Sequence, residues 1–111
     1  MVRLVDRNGD AYKSLIAEYP DFEKTVAEYT DMGFSIENAL HFTCDYYGEK
    51  DDKKFIFDIF DVEYRPYELT PPEMLIAFDY NLLQDIPYEY INGYRDACEG
   101  IQKYYMIDLD V

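Results

Sequence analysis

The chain has 111 residues, 49% of them hydrophobic, with 13 Tyr, 7 Phe and a formal net charge of −14 at pH 7. That much apolar and aromatic material excludes an acidic disordered tail, and the length suits one domain with one modest core. A molecule this acidic is repelled by nucleic acid and by anionic membranes and is drawn to basic protein surfaces.

No apolar run approaches the roughly 18 residues that a membrane span needs. The opening "MVRLVDRNGD" turns polar too soon for a secretory signal, so a cytoplasmic location is expected. "MVRLV" itself reads as a short strand closed by the turn-like "DRNG". A first helix is predicted from about Asp10 through "AYKSLIAEY", with Tyr12, Leu15, Ile16 and Tyr19 on one face. Pro20 closes it, and Asp21 is placed to cap a second helix over "DFEKTVAEYTDM", which Gly33 stops. Ser35 caps a third helix, "IENALHFTCDYY", which ends at Gly48. Its predicted inner face is Ile36, Ala39, Leu40, Thr43, Cys44 and Tyr47.

"DDKKFIFDIFDVEY", residues 51 to 64, is ambiguous. Its β-branched and aromatic content suits a strand, whereas helical spacing gathers Phe55, Ile56, Ile59, Phe60 and Tyr64 and leaves only Phe57 and Val62 awkward. The helix is the preferred reading, with Asp51 or Asp52 as its cap and Asp58 and Asp61 facing water. "TPPE" starts the next helix: Thr70 caps, Pro71 takes the first position, and Glu73 completes a capping box before "MLIAFDYNLL". Pro87 opens a long helix through about Tyr105, and "MIDLDV" alternates as a strand that pairs with "MVRLV". The expected fold is mainly α, four to six short helices in one compact domain over residues 1–111. An α+β variant with a small two-stranded terminal sheet stays open.

Motifs for chemistry are scarce. Five scattered glycines make no nucleotide loop. His41 and Cys44 are spaced like two metal ligands on a helix, but a site needs three or four. Asp6, Asn8 and Asp10 mimic the start of a calcium loop, yet Ala11 and Ala17 stand where glycine and glutamate belong. Cys44 and Cys98 form no CxxC, and buried free thiols are the simpler reading. No catalytic residue, cofactor or metal is assigned, and the expectation is a protein that is not an enzyme.

The acids remain. Five pairs of acids lie three residues apart, a spacing close to that of successive phosphates. Random placement of 24 acids among 111 residues gives about five as well, so the spacing carries no weight. Charge density does carry weight: residues 66–111 hold nine acids against two bases, a net of −7, while residues 1–65 hold 15 against eight, also −7 but more dilute. Tyr46, Tyr64, Tyr67, Tyr80, Tyr90 and Tyr104 fall off the predicted inner faces, and tyrosine is enriched at protein interfaces.

The expected function is therefore a protein-binding inhibitor with an acidic, tyrosine-rich surface. It would occupy the basic nucleic-acid-binding groove of a partner such as a nuclease, without binding nucleic acid or membrane itself. In composition the chain resembles the small acidic inhibitors that phages and mobile elements direct against restriction or CRISPR nucleases. No motif carries that resemblance, and no functional residue is transferred by it. The alternative is a small helical interaction or immunity-type module whose acidity serves solubility. The candidate partner-binding residues are Asp51, Asp52, Asp58, Asp61, Glu63, Tyr64, Glu89, Tyr90, Asp96 and Glu99.

Overall fold

Five helices make up most of the described chain, and their ends follow from their capping residues. The computed structural model describes residues 9–48 and 51–82, together with Glu99 and Lys103. The helices are α1 (Asp10–Glu18), α2 (Phe22–Met32), α3 (Ile36–Tyr47), α4 (Lys53–Ile59) and α5 (Pro71–Asp79). Among the described residues there is no strand, so this part of the protein is mainly helical. The terminal ribbon and most of the long helix expected from Pro87 lie outside the described residues; Glu99 and Lys103 are helical and exposed.

Contacts divide the chain into two compact units, Met1–Arg65 and Pro66–Val111. The division coincides with the change in charge density along the sequence.

In the first unit, α3 packs against both α2 and α4. Leu15, Phe22, Val26, Leu40, Ile56, Phe57 and Phe60 form the core together with Ala39 and Cys44. Phe22 anchors it, with ring centroids 5.7 Å from Phe60 and 6.0 Å from Tyr47. A second aromatic group, Tyr29, Phe34 and Phe42, joins the end of α2 to α3 with centroid separations of 4.8 to 6.4 Å. Contacts of this kind add to the gain from burying the rings themselves.

α3 departs from its predicted amphipathic face. Residues 38 to 44 are buried without a break, including Asn38, His41 and Phe42. Buried polar groups must find partners. The Thr43 hydroxyl donates to the Ala39 carbonyl at 2.8 Å, and the His41 Nε2–H donates to the carbonyl of Arg65.

The ambiguous stretch is a helix, but a short one with its face turned from the expected one. Phe57 is fully buried, whereas Phe55 is 47% exposed and Tyr64 42% exposed. The reason is tertiary: the Phe57 ring packs 4.9 Å from His41 and 5.3 Å from Tyr64, which stands beyond the helix end.

Capping separates the helices further. Ser35 has the extended backbone of a cap, and its hydroxyl accepts from the Asn38 N–H at 3.3 Å. Asp21 and Asp52 occupy the same position on α2 and α4, but their ψ angles of 14° and 13° are near-helical, and neither side chain caps.

At the C-terminal ends, α2 and α3 stop at Gly33 and Gly48 in left-handed backbone, as expected. α4 and α5 use the same device without glycine. Asp61 (φ 55°) and Asn81 (φ 62°) take the left-handed position. The Asp61 N–H bonds the Asp58 carbonyl and the Val62 N–H bonds that of Phe57; Asn81 and Leu82 repeat the pattern on Phe78 and Ala77. α5 therefore ends at Asp79, short of its predicted length.

In the described part of the second unit, Tyr67, Leu69, Met74 and Ala77 are buried. Tyr67 corrects its assignment as an off-face tyrosine. The capping box forms as predicted: Glu73 N–H donates to the Thr70 hydroxyl oxygen, and the Glu73 carboxylate accepts from the Thr70 N–H at 3.2 Å.

Candidate functional site

The acids of residues 51–64 flank α4. Asp51 and Asp52 lie before its first turn, Asp58 lies near its end, and Asp61 and Glu63 lie just beyond it. These five and Tyr64 are all exposed. Asp61 belongs to the left-handed stop and not to the helix, so Asp58 and Asp61 are not the helical pair that the spacing predicts. Among the described residues, Asp51, Asp52, Asp61 and Glu63 form no ion pair. Asp58 meets Lys54 one turn back at 3.0 Å, with both side chains largely in water. Of the other predicted site residues, Glu99 is exposed, while Glu89, Tyr90 and Asp96 lie outside the described residues.

Three of the five described bases of the first unit, Lys53, Lys54 and Arg65, are paired with acids. Lys53 reaches Asp45 at 3.1 Å across α3 and α4, and Arg65 lies 3.6 Å from Glu37. These pairs clamp α4 and the segment after it onto α3. His41 reinforces the clamp by holding the Arg65 carbonyl. Burial pushes the His41 pKa down from its usual range, opposed in part by the bond to that carbonyl. The ring is therefore a neutral structural group, and a carbonyl acceptor requires its proton on Nε2. Cys44 is fully buried, and no cluster of three or more ligating side chains occurs among the described residues.

Helix ends give the acids an unusual placement. Every helix from α1 to α5 carries an acid in its last turn (Glu18, Asp31, Asp45, Asp58 and Asp79), and none carries a base there. The C-terminal end of a helix is the negative end of its dipole, so an acid there is unfavourable, by about 0.3–1 kcal/mol at exposed positions. The sequence contained this signal, but it is invisible until the helix boundaries are known.

Two acids absent from the predicted set join the surface. Asp10 of α1 lines a cleft of about 340 Å³ with Asp58, and Glu18 lines a smaller hollow of about 110 Å³ with Asp52. Asp10 and Glu18 of α1, Asp58 of α4 and Asp52 just before α4 thus border one region between the two helices. Among the described residues three tyrosines are also exposed: Tyr46 at 70%, Tyr80 at 54% and Tyr64 at 42%. No described helix is long and apolar enough to cross a membrane. The chain matches no family model, no curated protein and no solved structure.

Proposed function

We propose that this chain is a non-enzymatic inhibitor that acts in the cytoplasm by presenting acids and tyrosines to a basic nucleic-acid-binding groove of a partner protein, in the manner of anti-restriction and anti-CRISPR proteins. The observation that carries the reading is the acid in the last turn of all five helices, with no base in any of those turns, although Lys53 and Lys54 pair with two of the acids, Asp45 and Asp58. Solubility alone would be served equally by acids at the N-terminal ends, where the helix dipole welcomes them. Acids kept where they cost stability are better explained by a negative potential that a partner reads. Steering by that potential would speed encounter, and desolvated tyrosines would slow release.

The test is a panel of purified restriction and CRISPR nucleases, assayed for DNA cleavage with and without the protein. Inhibition should be relieved by excess duplex DNA and should weaken steeply as salt rises from about 0.05 M to 0.5 M. Reversing Asp58 and Asp61 together to lysine should weaken binding without lowering the unfolding midpoint by much, because both side chains are exposed. Binding that ignores salt would replace this reading with a shape-driven interaction module.

A further inference from the structure

The region between α1 and α4 is more than a row of acids. The lining of its larger cleft is mostly apolar and includes Ala11, Tyr12, Phe55 and Ile59. Phe55 also borders the smaller hollow, where Leu15 and Ile56 continue the apolar lining, so one half-exposed ring stands between two adjoining depressions. Asp10 and Asp58 border the first, Glu18 and Asp52 the second, and among the described residues no Lys or Arg lines either. A phenylalanine left in water among apolar neighbours and rimmed by one sign of charge is an interaction surface with a preferred partner chemistry.

We propose that this cleft takes an apolar side chain flanked by lysine or arginine, presented by a basic protein partner. The proposal rests on the inhibitor reading above and names what the partner must offer at this face. The occupant's apolar group covers Phe55 and Ile59, and its cations meet the rim. A guanidinium can take Asp58 from Lys54, because that pair is exposed and such pairs are weak. A second copy of the chain is disfavoured, since it would bring the same four carboxylates against a molecule that also carries −14.

The experiment titrates the isotope-labelled full chain with a short amphipathic helical peptide bearing leucines on one face and arginines on the other. A control peptide has glutamates in place of the arginines. The arginine peptide should move the backbone amide signals of residues 9–12 and 55–59, and the glutamate peptide should not. Phe55→Ala should weaken binding about tenfold, as expected for an anchoring aromatic, and should still fold because the ring is half in water. Asp10→Asn with Asp58→Asn should weaken binding severalfold and flatten its salt dependence. Equal binding of both peptides, unchanged affinity of Phe55→Ala, a dimer by sedimentation, or nuclear Overhauser contacts from residues 1–8 to Phe55 would each overturn the proposal. A chain that binds the peptide but inhibits no nuclease keeps this cleft and loses the inhibitor reading; one that inhibits nucleases and ignores the peptide does the reverse.

Discussion

α3 and α4 are neighbours in sequence and in space, yet they divide the labour of the first unit. α3 is long, capped at both ends and buried through seven consecutive residues. α4 has seven residues, no side-chain cap, two fully buried side chains and a face left to water. Apolar content alone does not separate them, since α4 is the richer of the two in aromatic and β-branched residues for its length. Their difference lies in how many sides are covered. The lesson is that in a small acidic protein the acids and the exposed aromatic can be delegated to a lightly anchored element once a neighbouring helix holds the core.

Core truncations should break the comparison most violently. Leu40→Ala in α3 and Phe57→Ala in α4 should each remove about 2–5 kcal/mol of unfolding free energy, whereas Phe55→Ala, two positions earlier, should remove less than about 1 kcal/mol. Urea midpoints decide this, and equal losses at Phe55 and Phe57 would mean that α4 is rotated from the position described.

Helix stops come next. Gly48→Ala should lower stability by about 1 kcal/mol through backbone strain alone, because a Cβ there meets no atom within 4 Å. Asp61→Gly relieves the same strain and should have the opposite sign, a gain of up to about 1 kcal/mol. The starts sharpen the contrast: Ser35→Ala should cost about 1 kcal/mol, and Asp52→Ala, which removes no cap, should stay within about 0.5 kcal/mol of the native protein.

The smallest effect is a slope. His41 titrates below its ordinary value near 6.5 in the folded chain, so the unfolded chain binds the extra proton first as pH falls. Its contribution is fully present above about pH 6.5 and is lost as the pH drops towards the lower folded value. Asp45 faces it from α3, Lys53 from α4, and Arg65 from the following segment. Urea unfolding at pH 7.5 and 5.5 should show the native protein weakening. His41→Gln, which cannot titrate but offers a donor to the Arg65 carbonyl, should show a flatter dependence.

Much of the helical framework was legible because it is written in short-range chemistry. Thr70, Pro71 and Glu73 specify a start, Ser35 another, and Gly33 and Gly48 two stops. Asp61 and Asn81 were missed because most aspartates and asparagines adopt ordinary backbone, and only the failure of the helix to continue reveals the left-handed ones. The phase of α4 was illegible for a different reason. Four of its seven residues and its C-cap Phe60 form a nearly continuous apolar run, so periodicity cannot choose between Phe55 and Phe57; contact with His41 does. Likewise the exposure of Asp51, Asp52, Asp58, Asp61 and Glu63 could be expected of any acids, but their company with Asp10 and Glu18 depends on how α1 lies against α4.

Cys44 gives the buried helix its own clock. Its sulfur is sealed inside α3's packing, so a thiol reagent can reach it only when that helix leaves the core. In a Cys98→Ser background it is the single thiol of the chain. Its rate of modification under native conditions then reads the opening of α3 directly, without denaturant.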